Sequence, residues 1–165
     1  MGDLAEGRPV ILRRRKALAF KRDGDRTTVL LGTDERDLVA DLARQFHAVV
    51  ADDEDPHLTR LYPTAYVDDD ERQDDYAALV HDDLVRTRLG AADVVMATAR
   101  AESLDDEELA AWMQVLNGLR LLLGTRLDVS EEDEFDPDAP EAPQRALLAW
   151  LGFLLEEAVG SASDG

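Results

Sequence analysis

Cysteine is absent from this 165-residue chain, and lysine, histidine and serine are scarce. Without thiols the chain can form no disulfide, no thiolate metal site and no cysteine-based redox switch. Its three histidines, His47, His57 and His81, lie in separate segments and lack the i, i+4 spacing of a metalloprotease helix. No serine stands in a G-x-S-x-G turn, and no glycine-rich phosphate loop occurs. We therefore expect no enzyme activity and no cofactor or metal.

Long apolar runs are also missing. The longest, Ala146 to Leu155, is half of the ~20 residues that a membrane-spanning helix needs. The basic stretch Arg13 to Lys16 precedes only four apolar residues, which is too few for a secretion signal. The chain is 45% hydrophobic and 33% charged, a composition typical of a folded globular domain. We expect one cytoplasmic domain over residues 1–165 that makes no membrane contact.

Acidic residues dominate the composition, with a net charge of −19. The acidic runs at Asp52–Asp55, Asp68–Glu71 and Glu131–Glu134 match no calcium-binding loop. Each run stands beside an apolar segment with helical periodicity. We interpret them as helix caps and solvated helix ends, where an acid at the N-terminus offsets the helix dipole.

Basic residues are concentrated at the N-terminus. Seven of them stand against two acids in residues 1–22, whereas the remaining 143 residues carry 11 bases against 35 acids. Charge of one sign at one end of a molecule governs encounter and partner choice. The candidate partner-binding residues are Arg13, Arg14, Arg15, Lys16, Lys21 and Arg22.

Three interpretations of this basic cluster remain open. It could contact a protein partner, or it could contact the phosphates of DNA. It could also pair with the protein's own acids, or keep an exposed edge strand from pairing with another chain. The net charge of −24 on the rest of the chain disfavours DNA, because a duplex would be repelled.

A β-hairpin is predicted at 9–31, where β-branched and alternating residues flank Asp23-Gly24-Asp25. Its arms run over about 16–22 and 26–31, with residues 10–14 offering a further strand. A helical body follows over 33–159 and a frayed tail over 160–165. The fold class is therefore α+β and mainly α, a hairpin or small antiparallel sheet packed on about four helices.

Capping signals and apolar periodicity place those helices. Thr33 caps a helix that ends near Ala51, and an acidic block opens a long helix over about 71–101. Two apolar stripes on that long helix, one of which includes Tyr76, predict burial on two sides toward its end. Ser103 and Asp106 form a capping box for a third helix that Gly124 ends, and close packing is expected at Gly118. An apolar terminal helix follows, with Leu147, Trp150, Leu151, Leu154 and Ala158 on its packed face.

Two sequence motifs stand apart from these patterns. One is R-L-Y-P-T-A-Y, which contains Arg60, Tyr62, Pro63 and Tyr66. The other is L-N-G-L-R-L-L-L-G-T-R-L, which contains Asn117, Arg120 and Arg126. A half-buried arginine needs a carboxylate or several carbonyls. We therefore favour structural pairing of Arg120 or Arg126 over a ligand pocket.

With W-L-G-F-L at 150–154 and the acidic cap at 130–133, these motifs resemble an actinobacterial family long described as a domain of unknown function, the AosR-like oxidative-stress transcriptional regulators. The similarity runs from about Pro9 to Glu157. The resemblance implies a non-enzymatic regulator that works through a protein partner. Direct DNA binding through the basic hairpin is the alternative, and a homodimer through the apolar terminal helix is compatible with the pattern. A cysteine switch cannot be carried over, because this chain has no cysteine.

Overall fold

The computed structural model describes residues 18–52, 71–127 and 138–164. Several sequence-based predictions lie outside these residues. They are the strand at 10–14, the connector of residues 53–70, the cations Arg13, Arg14, Arg15 and Lys16, and the motif residues Arg60, Tyr62, Pro63 and Tyr66.

A three-stranded antiparallel sheet forms from the hairpin and one later strand. Strands β1 (Phe20–Asp23) and β2 (Arg26–Val29) pair with Phe20 opposite Val29, and Gly24 in the turn has φ 64°. The predicted hairpin is confirmed. The third strand, β3 (Ser103–Leu104), pairs with β2 and gives the order β1-β2-β3. It was not predicted, because two residues carry no alternation to detect.

Four helices are found in the described residues. They are α1 (Thr33–Ala51), α2 (Glu71–Thr98), α3 (Asp106–Leu127) and α4 (Ala142–Ser163). Successive helices pack against one another, and β1 lies against α4. The predicted class, α+β and mainly α, is confirmed.

The predicted helix starts need correction. Ser103 belongs to β3, and the capping box of α3 is instead Asp105 with Glu108. The Glu108 N–H donates to Asp105 Oδ1 at 2.8 Å, and the Asp105 N–H donates to Glu108 Oε1 at 2.9 Å. At α1 the cap is Gly32 rather than Thr33, since the Gly32 N–H donates to the Glu35 side chain at 3.2 Å.

Two further boundary predictions were wrong. Gly124 does not end α3, which continues to Leu127 and buries Gly124 in the packing. The expected frayed tail is helical through Ser163, because Ser161 is buried and holds the last turns against the core. Helix α2 is buried toward its end at Ala91, Ala92 and Val95, as predicted, whereas Tyr76 near its start is 70% exposed.

The core centres on Trp112, which is fully buried. Its indole N–H donates to Thr98 Oγ1 at 2.8 Å, which satisfies the one polar group of the ring. Phe20 packs edge-on against it, with ring centroids 5.8 Å apart. Strand β1, helix α2 and helix α3 are thereby joined at one point.

Arg36 ties the start of α1 to its neighbours through backbone carbonyls. Its Nε donates to Leu31 O at 2.9 Å and its Nη2 to Val29 O at 2.8 Å. Its Nη1 donates to Ala99 O at 3.1 Å and to Ala101 O at 2.6 Å. One guanidinium therefore connects the hairpin, α1 and the turn after α2.

Helix α4 is long and apolar enough, by length and composition, to cross a membrane. Its mean hydropathy over the best 18-residue window is 1.3. However, Leu151, Leu154 and Ala158 are buried against the other elements and belong to the hydrophobic core.

Candidate functional site

The free edge of the hairpin forms the first candidate surface. Within the described residues β1 pairs with β2 alone, so its other edge is uncovered by a strand. The Leu30 N–H donates to Ala19 O at 2.8 Å, which marks residues 19 and 30 as a hydrogen-bonded pair. Because such pairs alternate along an antiparallel ladder, the backbone groups of Phe20 and Arg22 point away from β2. They face a groove between β1 and the end of α4.

We call this space, about 560 Å³ in volume, the hairpin groove. Its side along α4 includes Glu157, whose carboxylate accepts the Ala19 N–H at 3.1 Å and holds the first residues of the hairpin to the helix. The groove is lined by Leu18, Phe20, Lys21, Arg22, Gly24, Glu157, Gly160, Ser161 and Asp164. Phe20 is buried, so the accessible part of this edge lies at Lys21 and Arg22. A free strand edge beside an exposed leucine is the arrangement that accepts an extended peptide segment.

The described members of the basic cluster differ in their surroundings. Lys21 is exposed on β1. Arg22 is only 12% exposed, and its guanidinium donates to Asp106 Oδ1 at 2.5 Å and to Gly24 O at 2.8 Å. The charge of Arg22 is thus paired within the protein, as one of the three interpretations of the cluster expects. Lys21 therefore remains the accessible cation of β1.

A second candidate surface lies on the outer face of α4. This helix groove has a volume of about 610 Å³ and is lined by Arg120, Ala149, Gly152, Phe153, Leu155, Glu156 and Val159. Phe153 is 40% exposed and Val159 is 44% exposed. Arg120 belongs to α3 and extends across the groove toward α4. Its Nε is 3.6 Å from the position that a Cβ on Gly152 would take. A Cβ at residue 152 would therefore make ordinary van der Waals contact with the arginine, which lies over Gly152.

The second sequence motif occupies α3, and its polar residues point in different directions. Asn117 is exposed. Arg120 is also exposed rather than half-buried, and it makes no ion pair or hydrogen bond within the part of the chain that the structure describes. Arg126 lines a smaller pocket of about 220 Å³ between α1, α3 and α4, together with Gln45 and Gln144. The motif thus contributes to two separate surfaces.

Metal-binding and catalytic chemistry depend on converging polar side chains. Over residues 18–52, 71–127 and 138–164, no three acidic or histidine side chains are grouped to hold a metal ion. His47 lies at the edge of α1, with Nε2 3.6 Å from Asp93 Oδ1 on α2. That contact joins two helices at the surface.

The sequence analysis did not identify several residues of these surfaces as candidate functional residues. Glu157 was expected only as the end of the similarity, and Phe153 only as part of a motif. A spacing pattern could have found Phe153, because Ala149, Phe153 and Glu156 recur at helical intervals on the face opposite Leu151 and Leu154. Glu157 gave no such signal, since its acceptor role depends on a hairpin 138 residues away.

The fold and these surfaces define a small, mainly helical domain with an N-terminal hairpin and two open grooves. The chain belongs to a family described as a domain of unknown function, DUF2017, whose model matches residues 16–162. No curated protein and no solved structure matches the chain. The resemblance to a domain of unknown function is thereby confirmed.

Proposed function

We propose that this protein is a non-enzymatic, cytoplasmic regulator that binds a partner protein through the hairpin groove. The observation that carries the proposal is the outward-facing backbone of Arg22, at the free edge of β1, beside the exposed Leu18 and Lys21. An extended partner segment can add to this edge as a further strand, with main-chain hydrogen bonds supplying affinity. The AosR-like resemblance supports a role in transcriptional regulation, exercised without thiol chemistry.

Charge selects the kind of segment that fits. Lys21 is exposed at the groove, and residues 8–16 place five more cations immediately before it in sequence. Opposite charge accelerates encounter and suppresses wrong partners. The expected partner segment is therefore extended and acidic.

Direct DNA binding is the alternative function, and the surroundings of Arg22 reduce its support. A cation whose guanidinium is paired with Asp106 must give up that pairing to contact a phosphate. The acids of the helical body also repel a duplex. DNA binding would show itself as a mobility shift that weakens steeply with salt.

The test is affinity capture from the source cytosol followed by mass spectrometry, with a matched pair of variants at residue 22. Arg22→Pro removes the outward N–H of β1, whereas Arg22→Ala removes only the side chain. We expect the captured partner to be lost with Arg22→Pro and retained with Arg22→Ala. The triple change of Arg13, Arg14 and Arg15 to Glu should also weaken capture.

Circular dichroism and thermal melting establish that each variant is folded before capture is compared. Capture of the same proteins by the wild type and by Arg22→Pro would contradict binding at this edge. A salt-sensitive shift of duplex DNA, with no captured protein, would replace the proposal by the alternative.

A further inference from the structure

Helix α4 is more apolar than its burial among the described residues explains. Only 22% of its most apolar 18-residue window is buried, although that window has a mean hydropathy of 1.3. Ala149, Phe153 and Val159 are exposed on its outer face, in the helix groove. Exposed apolar faces of this kind mark interaction sites.

The charges of the helix groove indicate what covers it. The groove contains one cation, Arg120, and one anion, Glu156. Neither forms an ion pair within the described ranges. A face with one charge of each sign complements itself, so two copies can meet there even though each chain carries −19 overall.

The spacing of the lining residues fits a two-fold axis level with residue 154. Gly152 and Glu156 stand two residues on either side of that level, and Arg120 of α3 lies beside Gly152. Ala149 and Val159 stand five residues either side. When two α4 helices run antiparallel about such an axis, each residue meets the other member of its pair. Arg120 of each copy then faces Glu156 of the other copy.

We propose that a second copy of this chain covers the helix groove, with the two α4 helices antiparallel and Phe153 of each copy beside the two-fold axis. Ala149 and Gly152 carry no bulk that would separate the helices, whose axes can approach to about 8–10 Å. The contact can extend along α4, which is about 33 Å long at 1.5 Å per residue. This surface is separate from the hairpin groove.

A membrane is a poorer occupant of the same face. The cytoplasmic leaflet is anionic, and a chain of net charge −19 is repelled by it. Glu156 also lies within the apolar face, where a lipid would leave it without a partner. The second copy supplies that partner through its Arg120.

Sedimentation velocity of the full chain over a range of concentrations tests the dimer by charge reversal. We expect Arg120→Glu and Glu156→Arg each to weaken association about tenfold or more, because each places like charges together twice. The double variant restores opposite pairs and should associate to within about threefold of the wild type. Lys21→Glu, in the hairpin groove, is the matched control and should leave association unchanged.

Disulfide trapping tests the register, because the chain has no other thiol. A single Phe153→Cys places two thiols beside the axis, within the ~7 Å Cα separation that a disulfide allows. The exposed Ala146 stands eight residues from residue 154, so two copies of Ala146→Cys lie about 24 Å apart along the helices. We expect cross-linking at residue 153 and none at residue 146.

A wild type that stays monomeric at every concentration would overturn the dimer, and so would charge reversals without effect or equal cross-linking at both positions. Vesicles of neutral and anionic lipid test the membrane as the other occupant. If the wild type binds them and Phe153→Glu does not, the face belongs to a membrane instead of a second copy. Loss of the dimer leaves partner capture through Arg22 and Lys21 intact, so the two proposals fail separately.

Discussion

A Cβ on Gly118 would lie 2.5 Å from Cε2 of Phe46, closer than any real Cβ approaches another atom. Gly118 stands inside α3 and Phe46 inside α1, so this glycine sets the distance between the two helices. Phe46 is 1% exposed, so its ring lies within the packed core. The close packing expected at Gly118 from the sequence is confirmed.

Gly118→Ala should therefore destabilise the protein although alanine favours helix. Overpacking costs about 1–3 kcal/mol, whereas the propensity gain is at most about 1 kcal/mol. Gly90 is the matched control, because it also lies inside a helix but has nothing within 4 Å of its Cβ position. We expect urea unfolding to show a lower midpoint for Gly118→Ala and a higher one for Gly90→Ala. Stabilisation by both would show that α1 and α3 can separate without cost.

Arg36 is the second test, because it joins three elements through four carbonyls. Arg36→Met keeps much of the apolar stem and removes every donor, so we expect a loss of about 2–3 kcal/mol in the free energy of unfolding. Arg36→Lys should recover part of this loss, since an ammonium group cannot reproduce the planar fork. The measurement is urea unfolding of the wild type, Arg36→Met and Arg36→Lys.

Arg44 serves as the control for Arg36. It lies on the same helix, its side chain is 69% exposed, and it pairs with Asp41 at i, i+3. Arg44→Met should change stability by less than about 0.5 kcal/mol. Equal losses at both arginines would mean that helix propensity or net charge, rather than the carbonyl contacts, determines the result.

Local signals in the sequence were enough to predict much of the fold. Turn chemistry at Gly24 predicted the hairpin, and apolar periodicity predicted all four helices. The exact residue at which a helix begins was predicted less accurately, because neighbouring residues offer similar capping signals. Ser103 and Asp105 are both good caps, and the choice between them depends on the pairing of Ser103 with Thr28, 75 residues earlier.

The candidate surfaces depend on contacts between distant segments, and this is why composition could not locate them. The basic cluster directed attention to the hairpin, yet the partner of Arg22 is Asp106, 84 residues later. The apolar sequence around Arg120 suggested burial, but its position on α3 turns it toward solvent beside Gly152. Side-chain direction on a helix follows from packing, which a linear pattern gives only approximately.

Two buried threonines give the last prediction, with opposite signs. Thr27 is fully buried on β2, and its Oγ1 has no hydrogen-bond partner among the described residues. Thr98 is 9% exposed, but its hydroxyl accepts from Trp112 at 2.8 Å and donates to Val94 O at 2.7 Å. The same substitution therefore removes an unpaired polar group at one site and a paired one at the other.

Thr27→Val should raise the free energy of unfolding by about 1 kcal/mol, because it has the same shape and no hydroxyl to desolvate. Thr98→Val should lower it by about 1–3 kcal/mol, since the indole N–H of Trp112 is then buried without an acceptor. Thermal melts and urea midpoints of the two variants decide the matter, and Trp112 fluorescence reports the local change at Thr98. Destabilisation by Thr27→Val would mean that its hydroxyl has a partner, such as an ordered water, that stabilises the sheet.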